Sequence, residues 1–435
     1  MTVGKGSPWI SQLERRRPAS SLDGNESADT VVVGGGIAGL ATAYYVLRDT
    51  DREVVLLEAD LVAHGATGRS AGQAVAAMER RFDDIAGELG EGSVVQGYRE
   101  ILSGWERLEE VLESTGRRDD LLRMRGMAAI DSPEAVASFL REKERWNSAG
   151  GARTEVAVSS EIGAAEGARE IDAGRMASLL GTVDRRYVAA ICAPSGVLNT
   201  TLLTEAMAKH LLSKYPGRFR LYERSRVRRL RLGDEIAAST EGGTVLADNV
   251  VLCTNGYIGM EFESCQVPVS VGNVKGVIGF MAGWFGDGPP SAVAFFRSAE
   301  NGYYYMTRRP YHGRSLVAMG GPEKELPPGE RYDAQREYDE GAYRRIDAFA
   351  RETLGHDGRD MEWHGLMGYT PGGIRLVGPD PGSPSLMYNL GCNGIGILAS
   401  LAGGWKVAQQ MRGRLFPPSM FDPSRLARDK LVRLV

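Results

Sequence analysis

A chain of 435 residues, 43% hydrophobic and 25% charged, carries enough apolar material for two packed cores. Its formal net charge of -4 leaves no surplus of lysine and arginine to neutralise phosphates, which argues against nucleic acid as a partner. Four scattered cysteines without CxxC spacing exclude a dense disulfide framework or a zinc site, and no stretch reaches the roughly 20 apolar residues that span a bilayer, so the expectation is a cytoplasmic protein with no membrane partner.

Residues 1–28 are polar, lack the apolar run of a signal peptide and read as a loosely ordered arm. The basic clusters Arg15–Arg17 and Arg224–Arg229 read as solvated faces. "TVVVG", from Thr30, is a β-branched run of the kind that forms a buried parallel strand, and "IAGLATAYYVL" follows with helical apolar spacing. Gly34, Gly36 and Gly39 satisfy GxGxxG: the first for a tight turn, the second for close approach of backbone to a pyrophosphate, the third for helix–strand packing. Ile37 and Ala38 open the helix whose N-terminus faces that anion. The next strand, "EVVLLEAD", ends in Glu58 and Ala59, and Glu58 follows Gly39 by 19 residues, the reach of a carboxylate that accepts from ribose hydroxyls and repels a 2′-phosphate. The turn alone does not separate NAD from FAD.

"LVAHGATGRSAGQ" follows, a run of small residues in which Gly68, Arg69, Ser70 and Ala71 bring backbone amides and one cation near a ligand. Phe82 to Trp146 reads as helical. Further on, the pattern predicts an amphipathic helix at about 200–212, strands at about 218–224 and 250–253, and a polar turn at Thr254, Asn255 and Gly256, which returns the chain to a parallel sheet. Residues 267–319 read mostly as strand, with "NGYYYMTRR" and "SLVAMGG" as an antiparallel pair joined at Pro310–Gly313. Near the end, "LMYNLGCNGIGILASL" repeats the opening logic of strand, glycine turn and helix. Asn393, Gly394, Ile395, Gly396 and Ile397 lie at a helix N-terminus that carries about half a positive charge.

These four landmarks, in this order and spanning nearly the whole chain, resemble the FAD-dependent D-amino acid oxidase, glycine oxidase and sarcosine oxidase superfamily. "TGRSAGQ", "TNGY" and "GCNGIGI" are most similar to its gamma-glutamylputrescine oxidase branch. The resemblance implies an α/β fold. An FAD-binding Rossmann-like domain of glutathione-reductase type is expected from 29–90, 190–262 and 362–435. An α+β substrate domain with a mixed, mainly antiparallel sheet is expected from 91–189 and 263–361. It adds Val227 to the FAD contacts and implies FAD-dependent oxidation of the C–N bond of an amine, with O2 or another acceptor taking the electrons. Tyr304 falls where relatives often place a substrate-facing tyrosine, while period-two alternation sets Tyr303 and Tyr305 on the opposite face; the alternative for such an aromatic stripe is core packing, and which of the three faces the flavin stays open. Lys275 falls where relatives carry a basic residue that speeds oxygen attack, the alternative being a strand-end lysine in solvent. Arg375 replaces a usual proline and faces either substrate or the domain boundary.

The sequence also departs from the family pattern. The arginine that grips a substrate carboxylate in glycine-oxidase-like relatives falls near Met367, so an amine or a larger specialised substrate is favoured over a simple α-amino acid. The tethering cysteine and histidine of other branches fall near Gly365 and Arg69, so FAD is expected to be non-covalent. The flavin-side lysine of some relatives falls near Leu398, leaving the helix dipole as the local positive potential. His64, His210, His312, His356 and His364 show no metal-ligand spacing. The alternatives are an oxidase or dehydrogenase of an unusual amino acid with Arg375 or another cation as its clamp, a flavin carrier, and an RNA-modifying flavoprotein. The pattern fixes neither the oligomeric state nor the amine.

Overall fold

The structure is a computed structural model that describes residues 3–426 apart from 14–16, 149, 151–153, 164–166, 264–267, 287–291 and 299–301. Arg15 and Arg16 of the first basic cluster, and Cys265, one of the four cysteines, lie outside the described residues. The architecture is α/β, with two sheets facing a common cleft.

The smaller sheet is built on five parallel strands in the spatial order Phe219–Tyr222, Val54–Leu57, Glu26–Val33, Thr244–Leu252 and Ser383–Leu390. Val31, Val32, Val54, Val55 and Leu56 are fully buried because helices and loops cover both faces, which is why their segments read as unbroken apolar runs. Strand Glu26–Val33 lies between Val54–Leu57 and Thr244–Leu252, so the strand order reverses there and a crevice opens beyond its carboxyl end. Helices Ile37–Asp49 and Ile397–Met411 cross closely, since a β-carbon on Gly404 would stand 2.7 Å from the Thr42 nitrogen. Helix Glu91–Ser114 is pinned to the latter by the buried Lys406 ammonium, 3.1 Å from Glu100 and 2.9 Å from Asp422.

The larger sheet has eleven strands among the described residues and is mainly antiparallel. Its central run is Met361–Tyr369, Lys275–Gly286, Arg314–Glu325, Gly302–Tyr311 and Ala292–Ser298. His312 and Gly313, with φ of 46° and 76°, make the two-residue turn of its hairpin, at the end of the interval expected for it. Helix Glu340–Leu354 covers one face, packing Phe349 on Tyr304 and Phe296 and Tyr343 on Phe280. The other face roofs the cleft.

Three expectations change. Strand Leu122–Ile130 interrupts the stretch expected to be helical, because its backbone pairs parallel with Ala292–Ser298 and antiparallel with Ala189–Val197. Strands Ala189–Val197 and Met361–Tyr369 belong to the larger sheet, although residues 190–197 and 362–369 were grouped with the dinucleotide part. The first residues are docked and not loose: Gly4–Lys5 pairs with Met361–Tyr369, and Trp9 is buried edge-on against Trp363 with centroids 6.4 Å apart. The buried indole outweighs the polar composition around it.

Candidate active site

Between the sheets lies a cavity of about 610 Å3, within the size range of small-molecule and cofactor sites. At one end is the first glycine turn. Gly34 has φ of 109°, and a β-carbon there would fall 2.7 Å from the Cys253 carbonyl oxygen. A β-carbon on Gly39 would fall 1.8 Å from the Gly34 carbonyl oxygen, so Gly39 serves helix–strand packing and does not line the cavity. Gly36, Ile37 and Ala38 do line it, and the Ile37 amide donates to Thr67 Oγ1 at 3.0 Å. Glu58 closes this end together with Ala59 and the buried Val227. Its Oε2 accepts from the Gly35 amide at 2.5 Å and its Oε1 from the Asp60 amide at 2.8 Å. Burial pushes this carboxyl up, and the two amides oppose that rise.

The Arg69 loop forms a side wall. Gly68 packs its backbone against Ala63 and stays out of the cavity, where a β-carbon would stand 2.2 Å from the Ala63 oxygen. Arg69, Ser70 and Ala71 line it. Three elements hold the loop: Trp363 Nε1 donates to the Arg69 oxygen at 2.9 Å, Trp9 Nε1 to the Ser70 oxygen, and Thr307 Oγ1 to the Ala71 oxygen at 2.9 Å. The Arg69 guanidinium donates to the His64 oxygen at 3.1 Å.

Asn255 knits the middle together. With φ of 52°, it accepts at Oδ1 from the Gly368 and Cys392 amides at 3.1 and 2.9 Å. Thr254 lines the cavity with a buried hydroxyl that has no hydrogen-bond partner among the described residues, while Gly256 packs against the Met367 carbonyl. At the far end, Gly394, Ile395, Gly396 and Ile397 line the cavity at the start of helix Ile397–Met411. Asn393 is turned inward and its Oδ1 accepts from the Thr370 amide at 2.9 Å, so it shapes the turn and does not line the cavity.

The catalytic candidates fare differently. Tyr304 is in the core, stacked on Phe349 with centroids 3.9 Å apart and planes at 5°, so it does not face the cavity. The strand alternates as expected, but the covering helix takes the Tyr304 face, leaving Tyr303 and Tyr305 in the cavity. Lys275 starts its strand outside the cavity, with a 63% exposed side chain ion-paired to Glu325 at 3.1 Å, so the oxygen-activating placement is not met. Arg375 reaches the cavity wall but its donors are committed: Nε and Nη2 to Asn389 Oδ1, Nη1 to the Gly391 oxygen, and Nη2 to Ser400 Oγ. It is 5% exposed, and burial lowers its pKa to about 10. It braces the C-terminal turn and offers no free fork to a substrate carboxylate.

Glu79, Glu323, Met281 and Met367 also line the cavity and were not singled out by sequence; nothing in "AMERRF" or "GPEKEL" marks these carboxylates. Tyr369 OH lies 3.2–3.4 Å from the oxygens of both Glu79 and Glu323. His64 lines the cavity with Nδ1 against the Val62 oxygen, and His364 meets the Tyr332 hydroxyl at 2.9 Å. Among the described residues no histidine, cysteine or carboxylate group has the arrangement of a metal site.

A glycine turn that β-carbons would fill, an acid at its far strand end and an orphaned threonine hydroxyl fit a flavin dinucleotide. The chain matches the family model described as DAO, FAD dependent oxidoreductase, over residues 29–410. It is similar to the gamma-glutamylputrescine oxidoreductase of Escherichia coli (strain K12), 27% identical over 267 residues, which cover 60% of this chain and 57% of that protein. The match thus spans little more than half the length of that relative. In fold it is similar to glycine oxidase from Geobacillus kaustophilus, with a TM-score of 0.68 and 19% identity over 91% of this chain and 98% of that one. L-proline dehydrogenase from P. horikoshii gives 0.70 and 20% over 93% and 99%.

Proposed function

The chain belongs to the family of FAD-dependent oxidoreductases matched over residues 29–410, and on that premise we propose that it oxidises the C–N bond of an amine to an imine. The observation that carries this reading is a single cavity that joins the Gly34 turn and Glu58 to the Gly394–Ile397 turn beneath Tyr303 and Tyr305. Within it, Gly34, Gly36 and Ile37 hold the pyrophosphate at a helix N-terminus and Glu58 accepts from the ribose. The chemistry supplied by FAD, when bound, is acceptance of a hydride from the carbon next to nitrogen, with the electrons passing to O2 to give H2O2.

The protein's own task is positioning. Tyr303, Tyr305, Met281 and Met367 wall the substrate end and exclude water from it. Arg375 and the N-terminus of helix Ile397–Met411 set a positive potential at the turn where negative charge develops. Gly365 and Arg69 meet at the family's tether positions, a β-carbon on Gly365 falling 2.8 Å from Arg69 Cβ, and since a glycine has no side chain and a guanidinium is no nucleophile, this supports FAD held non-covalently. The partners are a small-molecule amine and an electron acceptor. Free thiols at Cys192, Cys253 and Cys392 suit a reducing cytoplasm, and no helix among the described residues is long and apolar enough to cross a membrane. The amino-acid reading loses Arg375 as its clamp, since that side chain is committed to Asn389, Gly391 and Ser400.

Anaerobic bleaching tests the proposal. The purified protein should be yellow, with a band at roughly 450 nm, and an amine should bleach it while readmitted air restores it with H2O2. A colourless protein that cannot be reconstituted with FAD, or a yellow one that no amine reduces, overturns it.

A further inference from the structure

Four adjacent strands of the roof set one row of residues over the substrate end: Phe295 is paired with Tyr305, Tyr305 with Gly320, and Gly320 with Met281. Phe295, Tyr305 and Met281 line the cavity, and Gly320 stays out of it. A β-carbon on Gly320 would stand 2.4 Å from Met281 Sδ and 2.6 Å from the Tyr305 hydroxyl oxygen, so both side chains lie down across the glycine. The missing side chain in the row thereby sets the height of the roof. Tyr303, two residues from Tyr305 and on the same face, widens the surface: its ring stacks on Phe295 with centroids 6.1 Å apart and planes at 18°, and stands 5.9 Å from the Tyr305 ring. Ile395 of the Gly394–Ile397 turn packs in the same apolar cluster as Phe295.

Three neighbouring rings and a thioether make a broad apolar shelf whose favoured occupant is flat: aromatic rings stack on one another or meet edge to face, and a methionine sulfur suits a ring edge. The cations of the cavity lining, Arg69, Arg226 and Arg375, belong to other segments, and none stands on these four strands. Both carboxylates of this end, Glu79 and Glu323, are exposed, and an acidic tail would meet them as like charge. We infer that the site takes an arylalkylamine without a carboxylate, its ring held against the shelf of Phe295, Tyr303 and Tyr305 in room that Gly320 provides. The inference rests on the amine-oxidation reading above and adds to it the substrate class. Gly320 is then a determinant of specificity that touches neither substrate nor cofactor and acts through Tyr305 and Met281.

Phenethylamine and butylamine test the shelf with and without a ring. In anaerobic bleaching of the holoenzyme, the apparent Kd for phenethylamine should be lower by roughly tenfold or more, the size of ring burial with an aromatic contact. Gly320→Ala pushes Tyr305 and Met281 into the space for the ring and should cut that ratio by roughly tenfold. Cumylamine and tert-butylamine carry no hydrogen on the carbon next to nitrogen, so they bind without being oxidised. Calorimetric titration of each into oxidised wild-type holoenzyme needs neither turnover nor a stable variant. Tighter binding of cumylamine supports the shelf even where no amine bleaches the flavin, in which case the oxidation reading alone falls. Equal binding of the two, a phenethylamine-to-butylamine ratio that Gly320→Ala leaves unchanged, or tighter binding of putrescine than of phenethylamine overturns the shelf and leaves amine oxidation standing.

Discussion

The Glu58 carboxylate is gripped by the amides on both sides of the nucleotide crevice, Gly35 at 2.5 Å and Asp60 at 2.8 Å, before any ribose reaches it. These bonds fix its rotamer and oppose the rise that burial imposes on its pKa. Glu58→Ala should weaken FAD binding by about 1–3 kcal/mol, roughly ten- to a hundredfold in Kd. Flavin release measured by fluorescence checks this, and turnover at saturating FAD should be unchanged.

Tyr304 and Tyr305 make a matched pair of controls on the two faces of one strand. Tyr305→Phe removes a hydroxyl from the cavity and should lower kcat/KM for the amine by about tenfold, within the range of one hydrogen bond. Tyr304→Phe leaves the stack on Phe349 intact and should change kcat/KM by less than about twofold. Reversed results would put the strand in the opposite orientation.

Arg375 is a buried cation with no carboxylate among its hydrogen-bond partners. Arg375→Met should lower the reduction potential of bound FAD, by about 30 mV for each 1.4 kcal/mol of lost electrostatic stabilisation, and should weaken sulfite addition to the oxidised protein. It also strands the Asn389, Gly391 and Ser400 acceptors, at a cost of about 1–3 kcal/mol in stability. Spectroelectrochemistry against thermal denaturation separates the two effects; an unchanged potential would reduce Arg375 to a brace.

The acid limb of the pH profile follows from Glu323. Burial outweighs its bond from Tyr369 and holds its pKa above the ordinary glutamate range. The groups facing it are Glu79, Tyr369 and Tyr305. A carboxylate with a raised pKa is charged above that value and loses its charge as pH falls through it, so kcat/KM for the amine should fall on the acid side sooner than an ordinary glutamate would allow. In Glu323→Gln this limb should shift toward lower pH or flatten. An identical limb in the variant would assign the titration elsewhere.

The Gly34 turn was legible because everything that defines it is local: one strand, three glycines, one helix and an acid 19 residues beyond the last glycine. The fold class followed from four such landmarks in order. Tyr304 was misplaced because alternation says which residues share a face and not which face is covered; helix Glu340–Leu354, packing from elsewhere in the chain, decides that. Glu79 and Glu323 were invisible for a related reason. They sit on a loop and a strand that meet only when Tyr369 lies between them, and no spacing within one sequence encodes that meeting. Lys275 looked basic and well placed, but strand ends are where lysines reach solvent, and Glu325 lies across the sheet to receive it.

The pairing of Gly4–Lys5 with Met361–Glu362 has a consequence for how this molecule is made. Gly4–Lys5 and Trp9 are made long before the strand Met361–Tyr369 that receives them. They stay undocked until that strand has been synthesised. When they dock, Trp9 fastens the Ser70 carbonyl while Trp363 fastens that of Arg69, so the cofactor loop is clasped by two segments far apart in the polypeptide. Closure of the nucleotide-binding wall therefore follows synthesis of its substrate roof.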